Sequence, residues 1–336
     1  MKDRHRILII KLAALGDAVM ASTMLPALRE RWPDAHITWL CGRGIAPLVH
    51  CFEGIDEVVT LDERRLLAGS LPVRAATLAV AMTGLAGRAY DLCLVAHKDW
   101  RYRLIPLAAR CRTVRALGGR NGPVPGRWHG DEYRRLALGE DGPFTASAPL
   151  ATLRGAVAQG PSMRDEAPAP VLLVPGGARN VMRDDDQRRW PVGHYRELAA
   201  SLLAQGVPVT LVGGAGDRWV ESAFAGLGVT SCIGRTDIAG LLALLARAAV
   251  CVTHDTGPLH LACLAGTPTV ALFGPTLGAE KVPPYARARV LSAALPCVPC
   301  YDGRDYASCP EAPCMQALSP EMVSRAVHEL LQVGRA

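Results

Sequence analysis

Thr253-His-Asp-Thr-Gly-Pro-Leu259 is a polar turn held between two apolar runs, 250–252 and 269–273. Short apolar runs bounded by turn residues suit interior strands of a parallel sheet. The turn then lies at a strand's carboxyl end and a helix's start, the place where open α/β sheets bind ligands. Asp255 or Thr256 can cap that helix, Gly257 lets a ligand approach the backbone, and Pro258 fits the first turn. Free N–H groups and the positive end of the helix dipole face whatever arrives, and phosphate is the usual guest. A plain capped strand–turn–helix explains the same letters equally well, so the assignment needs support from elsewhere in the chain.

Two other groupings carry chemical potential. Cys297, Cys300, Cys309 and Cys314 have the spacing of a small tetrathiolate site for zinc or iron. Four thiolates would close the coordination sphere, so such a metal would be structural. Reduced buried thiols, or a disulfide formed on oxidation, are the plainer readings, and the seven scattered cysteines read as small buried hydrophobes. The second grouping is charge. The net charge of +6 divides as +7 over residues 1–165 and −1 over the rest, with most of the excess between Lys98 and Arg135. A solvated face explains an excess; its concentration in one segment points to an anionic partner met by the first half.

The elements that must position these groups read as a repeat. Strands are expected near 6–11, 35–41, 56–61 and 91–96, with helices at 18–31, 45–51 and 72–85. After a long glycine- and proline-rich loop at 118–126 and an irregular stretch with a short helix near 149–158, the pattern restarts. Strands follow at 171–174, 207–212, 250–252, 269–273 and 289–291, with helices at 194–205, 217–227 and 238–248, and from Ser319 onward. Alternating strand and helix with short joins is the doubly wound α/β pattern. The boundaries expected are 1–145 for a first domain, 146–169 for a linker, 170–318 for a second domain and 319–336 for a terminal helix.

Composition narrows the class. At 336 residues, half of them hydrophobic and a fifth charged, the chain has the makings of two globular domains. The opening residues lead straight into a strand without the apolar stretch of a signal peptide, and no apolar run reaches the roughly 18 residues of a membrane span. A cytoplasmic protein is expected. Neither Leu15-Gly-Asp17 nor Pro175-Gly-Gly-Ala178 is the compact G-x-G-x-x-G of a dinucleotide-dependent oxidoreductase. The basic segment shows no known nucleic-acid module, so no nucleic-acid partner is expected.

Four motifs in order now carry a resemblance. They are Leu15-Gly-Asp-Ala-Val-Met-Ala-Ser-Thr-Met-Leu-Pro26 after the first strand, Arg189-Trp-Pro191 ahead of a helix, Gly213-Gly214 after a strand, and Asp255-Thr-Gly-Pro-Leu-His260. Together they resemble glycosyltransferase family 9, the ADP-heptose–lipopolysaccharide heptosyltransferases and their relatives, over nearly the whole chain. The resemblance implies a GT-B arrangement, two Rossmann-like domains facing across a cleft, with the last helix crossing back to the first domain. It implies inverting transfer of heptose from ADP-heptose to a sugar hydroxyl of the lipopolysaccharide inner core, without a catalytic metal. An anionic glycolipid acceptor would be met at the inner face of the cytoplasmic membrane, which makes peripheral membrane contact an expectation.

Residue by residue, the resemblance makes Asp17 the catalytic base; its plain reading is a helix cap. Arg188 stands where the family usually has a lysine, and arginine still supplies charge and a bidentate grip on phosphate. Arg189 or Arg179 could share that contact. Asp255 matches an aspartate near the donor sugar and diphosphate, with Thr256, Gly257 and Pro258 beside it and His260 as a hydrogen-bonder that orients the helix. By family spacing Thr236 falls at the adenine pocket, and Gly213 and Gly214, opening the stretch to Asp217, fall at the ribose. The acceptor side is the first domain, where Arg120 and Arg127 are the exposed cations expected to meet it. Some relatives, including ones that glycosylate autotransporter proteins, carry a metal-binding cysteine cluster that resembles this one. Alternatives within the resemblance are another acceptor, such as protein, or another nucleotide sugar; a non-catalytic nucleotide-sugar-binding protein is a more distant one.

Overall fold

The computed structural model describes residues 4–118, 122–140, 144, 146–155, 168–179, 184–303, 305–309 and 311–333. The chain divides into two units, Met1–Arg154 and Gly155–Ala336, and each is built on its own parallel sheet.

In the first unit, β1 (Arg6–Ile10), β2 (His36–Gly42), β3 (Glu57–Leu61), β4 (Ala89–Val95) and β5 (Arg110–Ala116) pair in the order β3-β2-β1-β4-β5. Ile7 to Ile10 are fully buried, as the central strand of a sheet covered on both faces must be. The helices are α1 (Leu15–Ala21), α2 (Met24–Arg31), α3 (Ala46–Cys51), α4 (Glu63–Ala68), α5 (Leu71–Leu85) and α6 (His129–Leu138). A 3₁₀ stretch, Trp100–Ala108, lies between β4 and β5. Leu85 of α5 and Ile105 of that stretch share a core with Leu8, Ile10 and Cys93, so these two elements cover one face of the sheet.

The helix expected at 18–31 starts earlier and breaks in two at Ser22-Thr23. There Thr23 Oγ1 donates to Met20 O and to Gly130 O, and Ser22 Oγ accepts from the Ala151 N–H. The short helix expected near 149–158 is not formed over 149–154. Its backbone is satisfied by the first unit: Leu153 bridges Phe52, the Glu53 N–H donates to Thr152 O at 2.8 Å, and Arg154 grips Phe52 O and Ile55 O. The remainder of that expectation, from residue 156, lies outside the described residues. The division between the units therefore falls inside the stretch expected as linker, whose first part belongs to the first unit.

The second unit holds β6 (Val171–Val174), β7 (Val209–Leu211), β8 (Thr230–Ser231), β9 (Val250–His254), β10 (Thr269–Phe273) and β11 (Ala288–Ser292). All are parallel, in the order β11-β10-β9-β6-β7-β8. β9 and β10 are buried at every position. Around them lie α7 (Val192–Ala204), α8 (Ile238–Arg247), α9 (Gly257–Ala265), α10 (Gly278–Lys281), α11 (Pro313–Gln316) and α12 (Pro320–Val333). Asp237 accepts from the Gly240 N–H at 2.7 Å and caps α8 as its residue type suggested.

The terminal helix α12 lies against α7, β9 and β10, and Val323, Ala326, Val327 and Leu330 enter the second unit's core beside Trp190 and Leu198. Those four residues recur at three- and four-residue spacing, one face of a helix, and that face packs into the second unit's core.

Candidate functional site

In the first unit the chain leaves β1 through Lys11 and turns into α1, which carries Asp17 in its first turn. Asp17 is therefore not the cap; the capping position is Ala14. Lys11 Nζ donates to Asp17 Oδ2 at 3.0 Å, with the lysine side chain only 4% exposed and the aspartate 41% exposed. A buried cation thus holds one oxygen of a half-exposed carboxylate. Burial pulls Lys11 toward its neutral form, but Asp17 and Tyr133 outweigh it and keep the ammonium above its ordinary range. Tyr133 on α6 presents its ring 5.5 Å from Lys11 Nζ, and burial pushes its hydroxyl up to about 12. His97, just after β4, accepts the Leu12 N–H at Nε2, 2.9 Å. Burial first, then Lys11, keeps that imidazole well below its usual value, so it stays neutral. Sequence reasoning gave Lys11 no role. The available signal was a lysine at the carboxyl end of an otherwise apolar central strand.

In the second unit three strand ends are tied together by polar groups. Asp217 accepts from the Gly177 N–H and the Gly214 N–H, both at 2.8 Å, and so joins the glycine turns that follow β6 and β7. A Cβ at Gly176 would meet the Asp217 carboxyl at 2.5–2.6 Å, and one at Gly213 would come within 2.9 Å of it, so neither position admits a side chain unmoved. Thr256 Oγ1 accepts from the Ala178 N–H at 3.0 Å, joining the β6 turn to the start of α9. Neither Asp255 nor Thr256 caps α9 with its side chain, a departure from expectation with a plain cause: the hydroxyl is already spent on Ala178. Gly257 and Pro258 open the helix, which leaves its amino end to meet an anion with backbone alone.

Beside that helix start sits a buried charge network. Asp255 is 4% exposed; its Oδ2 accepts from Thr276 Oγ1 at 2.7 Å and from Arg188 Nη1 at 3.4 Å. Arg188 also donates to Asp185 at 3.0 Å. Burial works to raise the Asp255 carboxyl, but Arg188, Lys281 and His260 together hold it below the ordinary carboxylate range. Arg188 is therefore no solvated loop cation: it bridges two buried carboxylates. His260, one turn into α9, places Nε2 4.0 Å from Asp255 Oδ1. Arg189 donates to Gly177 O at 2.9 Å and pairs with Asp184, which Arg179 also holds. Thr236 follows β8, where the Gly234 N–H donates to Gly213 O at 2.9 Å and brings it to the β7 turn. Thr276 and Asp185 were missed; neither lies in a motif, and only the fold brings them to Asp255. His254 ends β9 with Nδ1 3.2 Å from Tyr195 OH, and burial, then Arg188, lowers it to about 3.

Two expectations are revised. Cys314 lies against Gly274, and its thiol is pushed up by burial and by the nearness of Cys300 and Cys309. Cys297, however, is exposed, and among the described residues no group of three or more His, Cys, Asp and Glu side chains is arranged to hold a metal. The expected tetrathiolate is not assembled by these side chains. The acceptor cations also read differently. Arg120 lies outside the described residues. Arg127 is no exposed cation; it pairs with buried Glu132 at 3.2 Å, a carboxylate that Arg135 holds at 2.8 Å. A cavity of about 240 Å³ nearby has Arg115, Arg135, Glu132 and Glu140 in its lining.

With this geometry in hand, comparison with known proteins is informative. Residues 152–309 match the family model of glycosyltransferase family 9 (heptosyltransferase). The chain is 25% identical over 330 residues to lipopolysaccharide heptosyltransferase 2 of Salmonella typhimurium, covering 85% of this chain and 87% of the relative. In structure it resembles a glycosyl transferase family 9 protein from Veillonella parvula, with a TM-score of 0.76, 19% identity and 99% of each chain covered. It also resembles the E. coli ADP-heptose LPS heptosyltransferase II, with a TM-score of 0.72, 22% identity, and 98% and 100% covered. The class follows: the chain is a glycosyltransferase of GT-B fold, with a parallel-sheet α/β unit in each half. Within that class, residues 152–309 match the family 9 model, and over most of its length the chain is similar to lipopolysaccharide heptosyltransferase 2.

Proposed function

We propose that the protein transfers heptose from ADP-heptose to a sugar hydroxyl of a lipopolysaccharide inner-core acceptor, with inversion at the transferred carbon. The observation that carries this reading is the network at the start of α9. An uncapped helix amino end, glycine turns without side chains and Arg188 suit a nucleoside diphosphate. The relative from Salmonella typhimurium, a lipopolysaccharide heptosyltransferase, supplies the sugar and the acceptor class.

The chemistry follows from the residues. Asp17 takes the proton of the acceptor hydroxyl as that oxygen attacks the anomeric carbon, while ADP departs from the opposite face. Lys11 holds Asp17 Oδ2, which fixes the orientation of a carboxylate that is 41% exposed. Charge growing on the leaving diphosphate is met by the α9 amino end and by Arg188, whose two carboxylate partners fix the guanidinium in place. Gly213, Gly214 and Thr236 flank the nucleoside. On the acceptor side Arg120 and Arg127 steer an anionic glycolipid. Because Arg127 is already paired, its share is smaller than a free cation's, and neutralising both should raise acceptor KM a few-fold and flatten its dependence on salt. An acceptor KM insensitive to salt in the unaltered protein would remove these two from the acceptor site.

Thermal stabilisation by ADP, UDP and GDP, followed by donor turnover with the best-fitting sugar, tests the function. ADP is expected to stabilise most. Equal effects of the three nucleotides would overturn the donor assignment.

A further inference from the structure

Trp219 lies on a 3₁₀ stretch (Ala215–Phe224) whose Val220 and Phe224 enter the second unit's core, yet it stays 49% exposed. The indole is not loose. The Arg189 guanidinium sits 5.6 Å from its ring centroid and is itself fixed by donating to Gly177 O. Trp219 lines a cavity of about 270 Å³ between this stretch, residues 186–192 and residues 311–316. Fully buried Trp190 and Met315 back the cavity, and Asp186, Gln187, Glu311 and Gln316 add polar groups. Gln187 Oε1 is shielded from water and, among the described residues, no donor reaches it. Gln316 donates its amide N–H to Glu311 O at 2.6 Å, which ties the polar side of the lining together. The lining includes none of Asp255, Thr256, Gly257, Gly213 and Gly214, so this is not the site at the start of α9.

Size, charge and surface type narrow the occupant. The volume lies below the roughly 300–1,000 Å³ of pockets for drug-sized ligands, which suits a single ring and not a nucleotide. Two carboxylates, Asp186 and Glu311, face one guanidinium that is already engaged with Gly177 O and Asp184, a balance that disfavours a second phosphate. A cationic occupant would be opposed by Arg189 beside the indole. A wholly apolar one would strip water from the carboxylates and amides without replacing their hydrogen bonds. A ring with one C–H face and an edge of hydroxyls meets both halves of the lining. The face packs on an aromatic ring, and the hydroxyls donate to carboxylate and amide oxygens, each with two lone pairs to offer.

We infer that this cavity is a saccharide subsite of the second unit. It takes one neutral pyranose ring, packed on Trp219 and hydrogen-bonded through its hydroxyls to Gln187, Glu311 and Gln316. The inference goes beyond the proposed transfer and needs only substrates that carry sugars, as those of a glycosyltransferase do; the ring held here is not the one transferred.

Saturation-transfer NMR with the free pyranoses glucose, galactose and mannose tests it, on the full chain with and without saturating ADP. At least one sugar should bind at roughly millimolar strength, as suits a ligand of about a dozen heavy atoms, and ADP should not displace it. Trp219→Ala should weaken that binding about tenfold, and Trp219→Phe far less, because a phenyl ring keeps the packing face. Glu311→Ala, at an exposed position, should weaken it several-fold. Both alanine variants should keep ADP affinity within about twofold, and glucuronate and glucose 6-phosphate should bind the unaltered protein more weakly than glucose. Melting temperatures show that each variant is folded, and Glu311→Ala decides should Trp219→Ala not be. Absence of sugar binding by the unaltered chain, displacement of the sugar by ADP, binding indifferent to either folded alanine variant, or preference for the anionic sugars overturns the inference. Because the probes carry neither nucleotide nor lipid, failure of heptosyl transfer with sugar binding intact would count against the proposed function alone.

Discussion

Two aspartates, Asp17 in the first unit and Asp255 in the second, mark regions built on opposite plans. Asp255 is buried, held by Arg188 and Thr276, and set at a helix start that three strand ends are tied to form. Asp17 is half exposed, with one oxygen on a buried lysine from the end of its own unit's central strand. The difference matches two tasks. A site that must hold a diphosphate needs fixed donors and charges settled before the ligand comes. A base must be reachable by the acceptor and held in a fixed orientation, and a half-exposed carboxylate oriented by a buried lysine meets both needs. Under the proposed function, the comparison assigns binding energy to the second unit and proton transfer to the first.

The sharpest way to break this division is at Asp17. Asp17→Asn keeps the size and the hydrogen bond to Lys11 but removes the base, and turnover should fall by ~10²–10⁴. A single-turnover assay with saturating donor measures it; a loss under tenfold would return Asp17 to a structural role.

Next is Arg188. Arg188→Ala should weaken ADP binding by roughly 10²-fold and lower the melting temperature as well, because Asp185 and Asp255 lose their shared cation while buried. Arg188→Lys, which restores a charge, should recover part of both. Arg189→Ala should be milder, since its partners are Gly177 O and a half-exposed Asp184. Titration calorimetry with ADP distinguishes them, and an effect of Arg189→Ala equal to that of Arg188→Ala would blur the assignment.

Lys11 sharpens the comparison from the other side. Lys11→Met removes the hold on Asp17 Oδ2 and should cost about tenfold or more in turnover with donor affinity unchanged. If Lys11 only supports the fold, the loss will instead follow melting temperature, and Tyr133→Phe should then reproduce it.

The pH dependence gives the smallest effect. His254 has its folded-state value lowered to about 3, against an unfolded value near 6.5. A lowered value means the contribution is complete above about pH 6.5. It declines as pH falls, because the unfolded chain takes up a proton that the folded ring refuses. The slope approaches about 1.4 kcal/mol per pH unit. Asp255, also lowered, adds to the loss below about pH 4. Denaturant titrations between pH 7.5 and 4.5 should show declining stability; a flat profile over that window would mean the ring is protonated in the fold.

How much of this could be read from the sequence depends on where each element's contacts come from. The interior strands were legible because β1, β9 and β10 each contain a short apolar run, Ile7 to Ile10, Val250 to Val252 and Val270 to Phe273. β5 was not: it is an edge strand of the sheet, reads Arg-Cys-Arg-Thr-Val-Arg-Ala, and carries no such run. α6 was hidden for a related reason, since Asp131, Glu132 and Arg135 turn inward and invert the usual pattern. The break between α1 and α2 depends on Gly130, far along the chain, and no local signal encodes it. In the site, glycine turns and helix starts are local and were found. The Lys11–Asp17 pair and the Thr276–Asp255 bond are tertiary, as is the pairing that takes Arg127 out of solvent. The apolar face of α12 says that it packs and not against which elements, so its place beside Trp190 and Leu198 was not legible.

The most direct test sets the two regions side by side: ADP affinity and single-turnover rate, measured on the unaltered protein, Asp17→Asn and Arg188→Ala. A division of labour predicts a crossed result, with affinity within about twofold and rate lost in Asp17→Asn, and affinity lost in Arg188→Ala. If Asp17→Asn instead abolished ADP binding while turnover per bound donor stayed normal, the base would lie elsewhere and the account would be wrong.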